Sequence, residues 1–227
     1  MNTPSGVSFI IPVYNNALTI RKVVEDIHQA GYSSIVVVDD GSQEDIQNAL
    51  LGLQIHYLRH EINRGQGAAL KTGLDFAKTL NPAIVITFDA DGQHDASDIP
   101  ALLAPITTDA CDITLGSRFL KKNAIPAQRR IVIQIARRIN FLLTGLLLSD
   151  AHNGLRAMNT TAFQSICIRE KRMAHATEII AEIKRLELRY QEVPVTIHYT
   201  DYSKLKGQRN WNSISILFDL LSRKLFK

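Results

Sequence analysis

Four consecutive β-branched residues, Ile35-Val36-Val37-Val38, run straight into Asp39-Asp40-Gly41-Ser42. A strand with one wet face alternates apolar and polar side chains, whereas an unbroken apolar run belongs to a strand covered on both faces. The form recurs at Ser8-Phe9-Ile10-Ile11-Pro12, read as a strand stopped by proline, and at residues 83–88, with a further strand at 55–59. Helical periodicity fills the intervals at 17–30, at 45–51, and from Gly65-Gln66-Gly67 through residues 69–80. Buried strands alternating with helices predict an α/β fold: a mostly parallel central sheet with helices on both faces. Ligands of such sheets bind beyond the carboxyl ends of the strands. Three polar clusters fall at those ends: Pro12-Val13-Tyr14-Asn15-Asn16, Asp39-Asp40-Gly41-Ser42 and Asp89-Ala90-Asp91. They are expected to converge on one crevice.

The second half predicts a strand at 113–116, a helical stretch to residue 148, a helix at 173–188, a strand at 192–199 and an amphipathic tail at 211–226. With 227 residues, no internal repeat and no low-complexity linker, the expectation is one domain over 1–205 and a C-terminal amphipathic extension over 206–227. Two cysteines, Cys111 and Cys167, build neither a disulfide framework nor a cysteine metal site. No basic region precedes the first apolar run and no apolar stretch is long enough to span a bilayer, so a cytoplasmic setting is expected.

Charge is unevenly spread. Seven of the 26 basic residues (Arg118, Lys121, Lys122, Arg129, Arg130, Arg137, Arg138) and none of the 22 acidic ones lie within 118–149. Such localisation points to an anionic partner met on one face. The segment has no interleaved aromatics and no recognition motif, so nucleic acid is not expected.

Asp89 and Asp91 are two apart, and in extended chain both carboxylates face the same way. A solvated Asp-Gly turn is one reading; a seat for Mg²⁺ or Mn²⁺, which take hard oxygen ligands and share them with phosphates, is the other. Asn63-Arg64-Gly65-Gln66-Gly67 with Lys71 suits an anion at a helix N-terminus, but lacks the spacing of a Walker A loop. His94 and His175 are secondary candidates.

Taken in order, "FIIPVYNN", "VVVDDGS", "NRGQGAALKTG", "TFDADGQH", "GSRF", "DAHNGLRAM" and "EVPVTIHY" resemble the family 2 glycosyltransferases of the GT-A fold over residues 7–205. The branch they look most like is the dolichyl-phosphate or polyprenyl-phosphate sugar transferases. That resemblance implies Asp89, Asp91 and Gln93 as metal ligands. It puts Pro12, Val13, Tyr14, Asn16, Asp39, Asp40, Lys71, Asp89, Ala90 and Lys204 around the donor nucleotide. The family commonly continues Asn-Glu after the tyrosine; this chain has Asn15-Asn16, which leaves the base open between UDP and GDP. Glycosyl transfer needs the leaving diphosphate stabilised, as a metal does. A phosphate acceptor is ionised at pH 7 and requires cations rather than a base. Arg118, Arg129 and Arg130 are the candidates, and inverting transfer to a lipid-linked phosphate is the expected reaction, with Asp89, Asp91, Arg118 and Asp150 as the catalytic set. If the acceptor were instead a hydroxyl of a lipid-linked glycan, Asp150 or Glu178 would serve as base. A catalytically silent sugar-nucleotide-binding membrane adaptor is the rival of another class.

Residues 131–138 and 141–148 place apolar side chains beside Arg137 and Arg138, and the tail repeats the pattern. Both suit helices lying on an anionic bilayer; a core helix or an oligomer contact is the alternative. The family branch often carries C-terminal spanning helices and this sequence has none, so a peripheral enzyme on the cytoplasmic face, with a separate membrane-protein partner or as a homo-oligomer, is expected.

Overall fold

The computed structural model describes residues 6–121 and 127–198. Lys204 and the 206–227 extension lie outside the described residues, as do the side chains of Arg129 and Arg130. Seven strands, β1 (Val7–Val13), β2 (Ser34–Asp39), β3 (His56–Arg59), β4 (Ile84–Thr87), β5 (Ile113–Ser117), β6 (Arg156–Asn159) and β7 (Tyr190–Pro194), form one sheet in the order β3-β2-β1-β4-β6-β5-β7. All pairings are parallel except those of β6, which runs antiparallel to both β4 and β5.

The unbroken apolar runs have the cause assigned to them. Phe9, Ile11, Ile35 and Val37 face α1 (Ala17–Gln29), α2 (Ile46–Ala49) and α4 (Ile99–Thr107) in one core. Ile10, Val85, Ile113 and Met158 face α3 (Gln66–Leu80), α6 (Thr160–Ser165) and α7 (His175–Arg185) in the other. α1 buries Ile20, Val23, Val24 and Ile27, the i, i+3, i+4, i+7 stripe of a surface helix. Each such side chain contributes about 1.5–3 kcal/mol.

Two expectations needed revision. β1 does not stop at Pro12 but pairs through it to Val13. Phe88 N–H donates to the Ile10 carbonyl, so the Pro12 nitrogen points to the same side, where the β4 ladder has already ended at Ile10 and Thr87. No ladder bond is lost there. The four-residue β6 was not expected at all, and β7 ends at Pro194, followed among the described residues by an isolated bridge from Ile197 to His94.

Candidate active site

β1, β2 and β4 end side by side, and their polar ends meet. The Asn15 amide donates to Ser42 Oγ at 3.0 Å, and Asn15 Oδ1 accepts from the Gln43 amide at 2.9 Å. Thr19 Oγ1, on α1, donates to the Ala90 carbonyl at 2.7 Å and ties the acidic turn to the first helix. Between these ends lies a cavity of about 400 Å³ bordered by Pro12, Val13, Tyr14, Asn16, Asp40, Asp89, Ala90 and Asp91, together with Asn63, Gln66 and Met173.

Each carboxylate at the rim is held differently. Asp40 accepts from the Arg64 and Gly65 amides at 3.0 and 2.6 Å and from His60 Nδ1 at 2.7 Å. It thereby fixes the loop that opens α3, whose Gly65 has φ +101°, a value L side chains rarely adopt. That loop delivers Gln66, whose Nε2 donates to Asp89 Oδ1 at 3.1 Å. His94 Nε2 lies 3.0 Å from Asp89 Oδ2; an ionised carboxylate only accepts, so this nitrogen carries the proton. Burial opposes ionisation of Asp89, but the His94 hydrogen bond and the fields of His94, His175 and Arg156 outweigh it and hold its pKa below the usual value. Behind Asp89 lies Gly154, where a Cβ would run into the carboxylate. Asp91 Oδ1 accepts from the Gln93 amide at 3.0 Å.

Not every expected residue reaches the cavity. Asp39 is wholly buried, its carboxylate taken by the Ser42 amide (2.9 Å) and Tyr57 Oη (2.8 Å), so it braces the turn after β2 and lies outside the cavity lining. Lys71 stands on the exposed side of α3, bonded to Asp75 at 2.5 Å, and borders a different cavity with Arg64 and Arg169. Its position one turn into the helix rotates it away from the strand ends. Gln93 lies near the acidic turn but outside the cavity lining.

Beyond β5 a second polar group forms. Arg118 donates from its amide (3.1 Å) and its Nε (2.6 Å) to one oxygen of Asp150, and both side chains are buried. Glu192 of β7 accepts from the Ser149 and Asp150 amides at 2.8 and 3.2 Å, anchoring the segment that carries Asp150. Glu178 caps a loop, accepting from the Arg169 and Glu170 amides. His152 and His175 are held at pKa about 4, by burial first and then by the Arg156 charge, and are neutral at pH 7. Asn63 and Gln66 belong to the loop the sequence marked for an anion, though not as donors to Asp89; Gly154 and Arg156 were missed and lie within the quoted motif "DAHNGLRAM", the only signal available for them.

A family model described as Glycosyl transferase family 2 matches residues 8–167. The chain is 32% identical to the UDP-N-acetylglucosamine–dolichyl-phosphate N-acetylglucosaminyltransferase of Methanococcus voltae, covering 96% of both chains. It is 26% identical to the undecaprenyl-phosphate mannosyltransferase of Micrococcus luteus, covering 82% of this chain and 81% of that one. Among solved structures it is similar to the glucosyl-3-phosphoglycerate synthase of Mycobacterium tuberculosis in complex with Mn²⁺ and UDP-glucose, with a TM-score of 0.69 at 19% identity over 96% of this chain and 78% of that one. The chain belongs to glycosyl transferase family 2 and is a glycosyltransferase of the GT-A fold.

Proposed function

We propose that the chain transfers a sugar, with inversion, from a nucleotide-sugar donor to a polyprenyl phosphate at a membrane surface. The observation that carries the acceptor assignment is the use made of the two carboxylates expected to deprotonate a hydroxyl acceptor. Asp150 orients Arg118, and Glu178 caps the loop at Arg169 and Glu170. A phosphate monoester needs no base, only cations that place it, and a guanidinium fixed through its Nε is preorganised for that. Arg118 is proposed to bind the acceptor phosphate, with Arg129 and Arg130 of α5 (Ala127–Thr144) contributing from the same basic segment. The names of the Methanococcus and Micrococcus relatives support a polyprenyl-phosphate acceptor, and the first also supports a UDP-sugar as the donor to try.

The donor is assigned to the cavity at the ends of β1, β2 and β4. Tyr14, at its rim, is proposed to stack on the base, while Pro12, Val13 and Asp40 shape the wall. Asp89 and Asp91, hard oxygen donors from one turn bordering that cavity, fit a Mg²⁺ or Mn²⁺ ion. Among the described residues no group of three or more His, Cys, Asp or Glu side chains makes a self-contained metal site, so Gln93, diphosphate oxygens and water would complete the shell. When bound, the ion supplies Lewis-acid stabilisation of the leaving diphosphate. Gln66 and His94 hold the Asp89 carboxylate that would bind it. No helix among the described residues is long and apolar enough to cross a membrane, and attachment through α5 to the cytoplasmic face is proposed.

Incubation of the full chain with UDP-sugars, GDP-sugars, Mn²⁺ and a polyprenyl phosphate, read by mass spectrometry, tests this. A sugar-phosphate-lipid product is expected, and none with the corresponding free alcohol. Arg118→Ala should lower transfer roughly a hundredfold with UDP binding retained. Equal use of the alcohol, or undiminished transfer by R118A, would overturn the assignment.

A further inference from the structure

The buried charge that the proposed mechanism leaves unused is Arg156. It opens β6 in the middle of the sheet, opposite Thr87 of β4 and Leu115 of β5. Thr87 lies just ahead of Asp89, and Leu115 just ahead of Arg118, so the sheet register sets Arg156 between the acidic turn and the Arg118–Asp150 pair. It is 3% exposed, its backbone pairs with β4 and β5, and among the described residues its guanidinium makes no hydrogen bond or ion pair. A buried guanidinium without any compensating negative charge would be strongly destabilising. Its compensation comes at longer range: burial lowers its pKa to about 10, while the fields of Asp89 and Asp150 act in the opposite sense. It therefore stays charged at neutral pH. His152 and His175, which feel its charge, are neutral there.

We propose that Arg156 is a positioning residue for sugar transfer: a fixed positive charge on the sheet floor that holds the carboxylates of Asp89 and Asp150 on either side of it, and so sets the donor turn and the Arg118 clamp relative to each other. This rests on the functional reading above. Because its guanidinium makes no hydrogen bond among the described residues, its charge matters and the shape of its guanidinium does not. Lysine should therefore replace it where glutamine cannot.

The test uses the full chain as wild type, Arg156→Gln and Arg156→Lys, with thermal melts, Mn²⁺ binding in the presence of UDP followed by electron paramagnetic resonance, and steady-state transfer. R156Q is expected to lose roughly tenfold to a hundredfold in kcat with the donor KM changed less than about threefold. It should also bind Mn²⁺ several-fold more tightly, because a positive charge has been withdrawn from beside Asp89. R156K should recover both. A purely structural arginine gives the reverse: Mn²⁺ binding unchanged or weakened in R156Q, and no recovery in R156K; either result overturns the proposal. If R156Q does not fold, R156K decides alone, and loss of transfer or of folding in R156K overturns it. A wild type that binds neither Mn²⁺ nor UDP would instead sink the functional reading, whereas an active wild type matched by both variants removes only the role of Arg156.

Discussion

Asp89 is gripped from three sides: Gln66 on one oxygen, His94 on the other, and the Gly154 backbone against its face. Thr87 Oγ1 donates to the Gly154 carbonyl at 2.6 Å, so the strand that carries Asp89 also pins the glycine. Gly154→Ala is expected to displace the carboxylate and weaken binding of UDP with Mn²⁺ by about tenfold, equivalent to about 1.4 kcal/mol, while the protein stays folded. Calorimetric titration of the two proteins checks this, and equal affinities would show that Asp89 has room to spare. At this scale the sequence was partly legible. Asp89 and Asp91 stood out because charge at the end of an apolar strand needs a reason. Gly154 and Arg156 did not, and Gln66 did so only as part of an anion loop, because what makes them matter is contact with Asp89 or with its field, across stretches of chain that no local pattern spans.

At the scale of elements, the far edge of the sheet is sewn by one carboxylate. Asp112, just ahead of β5, accepts from the amide and guanidinium of Arg189, just ahead of β7, and from Asn159 Nδ2 at the end of β6. The Arg189 hydrogen bonds, against some burial, hold its pKa at about 2, below the unfolded value of about 3.8. A folded-state pKa lowered in this way stabilises above the unfolded value, and the contribution is lost as pH falls from about 4 to about 2. Arg189 is half exposed, so solvent screening keeps the contribution small. Wild type should therefore melt several degrees above Asp112→Asn at pH 7, with the gap closing below pH 4; a gap that persists at pH 2 would place the effect elsewhere. The strands joined here include β6, the element the sequence concealed. Four residues, Arg-Ala-Met-Asn, hold no period to read, and their strand conformation is imposed by the ladders of β4 and β5 on either side.

At the scale of the molecule, α5 presents an apolar surface that no other described residue covers. Phe141 and Leu142 are exposed, Leu142 by 68%, with Ile135 exposed on the same helix, Leu147 just beyond its end, and Arg138 at its side. Such a surface is expected to bind vesicles containing anionic lipid and to release them as salt rises. Leu142→Asp combined with Phe141→Asp should abolish co-flotation while leaving UDP binding intact. Flotation unchanged by these substitutions would move the membrane contact elsewhere. Sequence alone determined the layered α/β fold, because unbroken apolar runs can be satisfied only between two layers of helices. It likewise located the acidic turn and the basic segment, since uncompensated charge is visible in one dimension. The tertiary structure decided which charges act together: it spent Asp39 on a turn, Asp40 on the loop before α3 and Asp150 on Arg118, and turned Lys71 outward. Hydrogen bonds and Coulomb fields depend on distance in space, and the antiparallel strand that brings Arg156 between Asp89 and Asp150 is a product of packing, not of pattern.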